Sequence, residues 1–314
     1  MARSHPPTLI TLVTRALREE CGVGRGARIL LALSGGGDSM ALLHVLALLA
    51  KKQGFSLFAH AVDHGLRAEA RLELDRAQAQ CDALGVSFSR SLLSLDDGGN
   101  LQARARDARR AALLTAAKCV NAELIATAHH ADDRAETVLL RLLRGSGPPG
   151  LAVLPPRSGL WIRPLCRARK ADITLHLSRH GLGFAEDPSN QQRRFLRTQV
   201  RFELMPLLER LSPQIVSHLC ALADALGQAG QANADLSALK DEHGVALLLN
   251  RAQRQLVGRA RTFGQRAARV SLANGRELSL DSVTLQPVLA AALARQPKPS
   301  REPRESRPPR PRKR

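Results

Sequence analysis

The sequence predicts an α/β fold: a doubly wound parallel sheet, then a helical linker and a small C-terminal domain. Three observations carry this. Short apolar runs alternate with helical stretches from Ala27 to Leu143, no tight hairpin turn joins the runs, and the polar motifs fall at or just past the carboxyl ends of those runs. Strand alternating with helix implies right-handed crossovers and a parallel sheet. Such sheets bind ligands beyond the carboxyl ends of their strands.

Taken in order, Ile29–Leu33, Leu57–Val62, Val86–Ser91 and Glu123–Ala128 read as short buried strands. Met40–Ala50, Ala70–Leu84, Leu101–Val120 and Ala131–Leu143 carry helical periodicity between and after them. From Gly145 to Gly159 the chain is rich in Gly and Pro and leaves the regular pattern for a loop. A segment from Ile162 to about Leu208 ends in the helix-like Thr198–Leu208, and residues 214 to about 230 read as an Ala/Leu-rich helix. Between Leu247 and Arg295 a small α/β unit is expected, with Ala268–Leu272 and Glu277–Leu280 as a hairpin around Asn274-Gly275. The Pro/Arg-rich end reads as disordered. The domains expected are residues 1–212, the nucleotide-binding domain; 213–296, the linker and small domain; and 297–314, the basic tail.

Composition narrows the function classes. The net charge is +19, and Lys298–Arg314 carries eight Lys/Arg against two Glu, or +6, which leaves +13 on residues 1–297. A chain this basic expects a polyanion, usually nucleic acid; an arginine-rich genome is the competing source of the charge. Aromatic residues are 3% with no Tyr, which argues against base-stacking platforms. The five cysteines form no Cys-x-x-Cys pair, so neither a disulfide framework nor a zinc or iron–sulfur site is expected, and a reducing cytoplasm fits. No apolar stretch approaches the length of a membrane span. Oligomeric state is left open.

The most informative segment is Ser34-Gly35-Gly36-Gly37-Asp38-Ser39, between the first strand and its helix. Glycines let backbone approach a polyphosphate closely. The first-turn amides of the helix lack internal partners and carry the positive end of its dipole. Ser34 and Ser39 add hydroxyls, and Asp38 is placed to hold Mg2+ on the phosphates. The spacing is not that of a Walker loop, nor of Gly-x-Gly-x-x-Gly. It is Ser-Gly-Gly-x-Asp-Ser, and it resembles the signature of the PP-loop ATP pyrophosphatases, a Rossmann-like nucleotide hydrolase type. The plain alternative is a glycine-rich turn with no ligand.

Four further segments add chemistry. Val62-Asp63-His64-Gly65-Leu66-Arg67 follows the second strand, where Asp63 would receive the adenosine; a polar turn is the alternative. A helix capped by Asn100 sets Arg106 and Arg109 on one face, suited to phosphate or to a solvated surface. The strand ending at Ala128 runs into His129 and His130, followed by a helix bearing Asp132, Asp133 and Glu136. Those carboxylates suit magnesium or a cationic amine, whereas zinc lacks a third distant ligand. Arg141 and Arg144 close that helix, and Glu186-Asp187-Pro188-Ser189-Asn190 precedes Arg193, Arg194, Arg197 and Arg201, a row able to follow an RNA backbone or face solvent.

In this order, across roughly Ile29 to Leu208, these segments together with Arg163-Pro164-Leu165 resemble the tRNA(Ile)-lysidine synthetase family. Two positions depart from its pattern: Arg110, often aromatic there, and Thr198, often Asn. The resemblance implies an ATP-dependent ligase. ATP adenylates the C2 oxygen of the wobble cytidine in the CAU anticodon of tRNA(Ile), and free L-lysine then displaces AMP to give lysidine, switching decoding to AUA. It implies a binding role for Ser34 to Ser39 and Asp63, with Asp38 on Mg2+. Arg109 and His129 would act at the α-phosphate, Asp133 and Glu136 would receive lysine, and Arg144, Arg197 and Arg201 would contact tRNA. Rival readings are a tRNA thiolase, which needs paired cysteines, an amide-forming synthetase for a small metabolite, and a non-catalytic RNA-binding module.

Overall fold

The computed structural model describes residues 7–63, 69–93, 101–184 and 196–237, together with three short strands at 269–271, 277–280 and 287–290. The side chains of 69–72, 101–103, 231–237 and of those three strands are not described. Outside the described residues lie the expected turn His64–Arg67, the cap Asn100, residues 186–190 with Arg193 and Arg194, the Asn274-Gly275 turn and the tail. The chain divides into two compact units, Met1–Gln228 and Ala229–Arg314.

The first unit begins with α1 (Leu9–Arg15), continued by a wide helical turn at Ala16–Glu20. Then come β1 (Arg28–Ala32), α2 (Gly37–Gln53), β2 (Ser56–Asp63), α3 (Glu69–Leu84), β3 (Ser87–Leu92), α4 (Leu101–Cys119), β4 (Leu124–Ala126) and α5 (Ala131–Leu143). After α6 (Pro148–Leu151) the chain forms β5 (Arg157–Ser158), β6 (Trp161–Ile162) and α7 (Lys170–Arg179). It closes with α8 (Leu196–Gln199), a wide turn at Val200–Leu204, α9 (Met205–Leu211) and the first part of α10 (Ile215–Ser237), the helix within which the boundary at Gln228 falls.

The six strands order as β3-β2-β1-β4-β6-β5, all parallel except the edge strand β5. The alternating fold expected from the apolar runs is what the chain adopts. β1 lies at the centre and is apolar on both faces, as parallel strands covered by helices must be. Its side chains alternate: Ile29 and Leu31 pack with Val13, Leu42 and Leu46 of α1 and α2, while Leu30 and Ala32 pack with Leu113 and Ala117 of α4. Arg110 lays its guanidinium over the Trp161 ring at 4.9 Å, a cation–π cover at the sheet's far side. A satellite helical cluster joins Ala135 and Leu139 of α5 to Val200, Met205, Val216 and Cys220.

Three details differ from the sequence reading. α2 starts at Gly37 instead of Met40, so half of the glycine segment is helix first turn; Asp38 and Ser39 suit that end of the dipole. α7 was not expected within the segment from Ile162. The strands β5 and β6 are two residues each, joined through Gly159 at φ 60°, and too short to leave a periodicity. In the second unit β7 (Arg269–Ser271) and β8 (Glu277–Leu280) pair antiparallel, as the hairpin reading expects, with β9 (Pro287–Ala290) added on the other side of β8. Among the described residues no helix is long and apolar enough to cross a membrane.

The strand order also locates the ligand crevice. From β1 the sheet builds outward through β2 and β3 on one side, then resumes with β4 on the other. The carboxyl ends of β1 and β4 are therefore the topological switch point, where the two flanking connections part and leave a cleft.

Candidate active site

At that switch point β1 delivers the glycine loop. Gly35 adopts φ 79°, a left-handed conformation that costs an L side chain about 1–2 kcal/mol, and a Cβ there would lie 3.2 Å from the Glu73 carbonyl oxygen. At Gly37 a Cβ would meet Leu177 and Phe184 at 3.1 and 3.2 Å. The turn is closed from within: Ser39 Oγ donates to Gly36 O at 2.9 Å and accepts from the Ser34 N–H at 3.2 Å, with Ser34 Oγ at 3.1 Å. The first helical hydrogen bond runs from Met40 N–H to Gly36 O, so the amides of residues 37–39 precede the helical ladder. Tight backbone and convergent amides of this kind fit a polyphosphate.

β4 delivers the second half. His130 is 4% exposed and caps α5, accepting from Asp133 N–H at 3.4 Å while Asp133 Oδ2 accepts from His130 N–H at 3.2 Å. Its Nε2 lies 3.8 Å from Asp38 Oδ2 and 3.4 Å from Asp133 Oδ2. Burial alone would lower the His130 pKa, but Asp132, Asp133 and Asp38 outweigh it and leave it raised. In the protonated ring Nδ1 donates to Asp132 Oδ2, 3.4 Å away, in place of the long contact from Asp133 N–H.

His129 behaves in the opposite way. Burial is the main cause that brings its pKa down to about 4, with Arg163, Arg197 and Arg109 adding to the fall and Asp133 opposing it. It is a neutral imidazole near pH 7. Its Nδ1 lies 3.0 Å from Thr127 Oγ1, a hydroxyl that also donates to Ile162 O at 3.5 Å, so the ring takes part here as a neutral hydrogen-bonding group rather than a charge. Permanent positive charge here comes from arginine; Arg109 and Arg163 are half-buried, and burial lowers the pKa of each.

The carboxylates beyond are paired. Arg201 Nε donates to Glu136 Oε1 at 2.6 Å, and Arg201 Nη2 donates to Glu136 Oε2 at 2.9 Å and to Asp133 Oδ1 at 3.2 Å. Arg197 is looser, 3.4 Å from Asp133 and 3.5 Å from Glu136, and half of its side chain is exposed. Asp132 turns away from this cluster and accepts from Arg169 Nε at 3.0 Å and from Lys170 N–H at 2.8 Å; those donors and His130 hold its pKa far down against the opposing effect of burial.

The structure thus brings together Ser34–Ser39, His129, Asp133, Glu136, Arg197 and Arg201 around Asp38 and His130. Asp63 ends β2, the strand beside β1, and is half-exposed. Arg144 stands apart: it caps the other end of α5, about 20 Å along the helix, and is exposed. Two contributors were missed from sequence. Lys170, at the first position of α7, places Nζ 2.5 Å from Asp38 Oδ1, and Arg169 supports Asp132. The local signal was Arg169-Lys170-Ala171-Asp172, whose Asp172 accepts from Arg169 N–H as an N3 residue does in a capping box. The five cysteines are free, and burial raises the pKa of Cys21 to about 11 and of Cys81 and Cys166 to about 12, which suits packing better than sulfur chemistry.

The family model described as the PP-loop domain matches residues 11–208. A protein of Xanthomonas axonopodis pv. citri named tRNA(Ile)-lysidine synthase is 41% identical over 226 residues, 70% of this chain and 49% of its own. One of the same name from Pseudomonas aeruginosa is 39% identical over 213 residues, 66% of this chain and 48% of its own. The chain spans about half the length of the curated relatives it matches. Among solved structures, the U34-tRNA thiolase NcsA from Methanococcus maripaludis with its [4Fe-4S] cluster aligns at TM-score 0.60 and 20% identity, covering 69% of this chain and 78% of that one, a likeness of fold.

Proposed function

The chain belongs to the PP-loop domain family, and on that premise we propose that it ligates free L-lysine to C2 of the wobble cytidine in the CAU anticodon of tRNA(Ile). The observation that carries the reading is the meeting of Asp38, from the glycine loop, with His130, from the segment that also presents Asp133 and Glu136, at the switch point of the sheet. A phosphate cradle beside an amine-binding pair of carboxylates is what adenylation followed by attack of an amine requires.

In the first step the cytidine C2 oxygen attacks the α-phosphorus of ATP and pyrophosphate leaves. The amides of residues 37–39 and the Ser34 and Ser39 hydroxyls would hold the phosphates. Asp38 would hold Mg2+, which when bound neutralises phosphate charge. Arg109 would stabilise the charge that develops on the α-phosphate, with His129 beside it as an uncharged imidazole. Asp63 would orient the adenosine.

In the second step the lysine ε-amine attacks C2, AMP leaves with the C2 oxygen, and the amine gives up a proton. Asp133 and Glu136 would receive the ammonium form before attack. Both carboxylates already face guanidinium groups, so an incoming ammonium has to displace one. Arg197, exposed and at 3.4–3.5 Å, is the one able to leave, and a tRNA phosphate is a fitting acceptor for it. Arg201 stays and fixes Glu136. Arg144, the basic tail and the C-terminal unit would add contacts along the tRNA.

The test is pyrophosphate release from ATP in the presence of tRNA(Ile) bearing CAU. Release that depends on this tRNA, and that falls at least a hundredfold in Asp38→Ala and Arg109→Ala, agrees with the reading. Release indifferent to tRNA, or to both substitutions, overturns it.

A further inference from the structure

A second cluster of chemistry-bearing groups lies away from the carboxylates. His44 is on α2, nearly two turns beyond Asp38; His176 is in the last turn of α7, and His180, four residues on, is the C-cap of that helix. His44 Nδ1 and His176 Nε2 are 3.0 Å apart. The ring centroids are 5.2, 4.7 and 4.5 Å from one another, and one nitrogen of each ring lies within 4.8 Å of the other two. His176 is 6% exposed, His44 is intermediate and His180 is exposed, so the cluster is anchored at one end and open to solvent at the other.

We propose that His44, His176 and His180 form a binding site for a first-row transition-metal dication, zinc above all, that staples α7 to α2. Three observations support it. The donors are three imidazoles from two packed helices, the ligand type that suits Zn2+, Cu2+ and Ni2+ and not Mg2+ or Ca2+. Zn–N bonds of about 2.0–2.1 Å set tetrahedral N···N separations near 3.3 Å. The His44–His176 pair, now sharing a proton in a 3.0 Å hydrogen bond, is about 0.3 Å short of that separation, so a metal would replace the shared proton. The exposed His180 ring is the one with solvent around it as the remaining gap closes. Among the described residues no carboxylate lies within ion-pair distance of any of the three rings, so protons gathered here would meet no counter-charge. A dication satisfies all three nitrogen lone pairs at once and leaves its fourth position to water.

The site would bear on the phosphate loop without touching it. α7 opens with Lys170, which reaches Asp38, and Leu177 and Phe184 close over Gly37. A metal joining α7 to α2 therefore fixes the spacing of the two helices that frame the loop.

The test uses the full chain stripped of metal, with Co2+ as the spectroscopic probe and saturating Mg2+ present to occupy the acidic cluster. One equivalent of Co2+ with the visible bands of a tetrahedral site, displaced by Zn2+, is the expected result. His180→Ala removes the most exposed ligand and His44→Gln an independent one; each is expected to weaken binding by at least ten- to a hundredfold. Zn2+ is expected to raise the Tm of the unsubstituted chain and not of either variant, with the metal-free Tm of His180→Ala unchanged. No stoichiometric tetrahedral Co2+, or affinity unchanged in both variants, which would put the ion elsewhere, overturns the proposal.

Discussion

Arg201 holds Glu136 by two hydrogen bonds, Nε to Oε1 at 2.6 Å and Nη2 to Oε2 at 2.9 Å, on a carboxylate whose side chain is only 5% exposed. A buried carboxylate is tolerable while it is paired and costly once its partner is removed. Arg201→Met is therefore expected to lower unfolding stability by about 2–3 kcal/mol, towards the lower end for a broken buried pair because the guanidinium is a third exposed. Glu136→Gln, which leaves an arginine able to reach water, should cost about 1 kcal/mol. Urea unfolding of both variants checks this, and equal losses would contradict the asymmetry.

Gly35→Ala tests the phosphate cradle. The left-handed backbone and the Glu73 carbonyl 3.2 Å from a new Cβ both oppose the methyl group. The substitution is expected to cost about 1–2 kcal/mol of stability and to weaken ATP binding more than tenfold. Calorimetric titration of ATP is the readout; unchanged affinity would mean the loop does not close on phosphate.

The two adjacent histidines predict opposite pH responses. His129, with its pKa depressed to about 4, favours its neutral form in the fold, so its contribution to stability is lost as pH falls from 6.5 towards 4. His130, with its pKa raised, favours the protonated form; its contribution is full below 6.5 and is lost as pH rises through the folded value. Nitrogen-detected NMR titration should show His129 invariant between pH 6 and 8 while His130 titrates above 6.5. A His129 midpoint above 6 would contradict the burial argument.

The proposed tRNA contacts are separable by salt dependence. Arg197→Ala is expected to reduce the slope of log Kd against log salt by about one, as loss of one phosphate contact does. Deleting residues 297–314, a segment of net charge +6, should weaken affinity modestly and flatten the slope further. Slopes unchanged in both would remove these groups from the tRNA interface.

The part of the fold that was legible in sequence is the part encoded locally. Ile29–Leu33 announces a strand buried on both faces, and Ser34–Ser39 announces a turn because glycine takes the left-handed conformation of Gly35 without the cost an L side chain meets there. Helical spacing alone pairs Asp132 with Glu136 and Asp133 with Thr137, and only the family resemblance singles out Asp133 together with Glu136. The partners were not legible. Lys170 on Asp38, Arg201 on Glu136 and His176 on His44 each join helices that only the packed sheet brings together, and no local pattern encodes those meetings. Arg197 and Arg201 read in sequence as an outward basic row, whereas the fold turns them onto the carboxylates because the helices α8 and α9 pack against α5.

Transfer of labelled free lysine to tRNA is the decisive measurement for the proposed ligation. The chain is incubated with ATP, Mg2+ and either tRNA(Ile) bearing CAU or the CAU methionine tRNA. Label is expected on the isoleucine tRNA alone, absent in Asp38→Ala and reduced at least a hundredfold in Asp133→Asn. Label on neither tRNA, with pyrophosphate release that ignores tRNA, would contradict it.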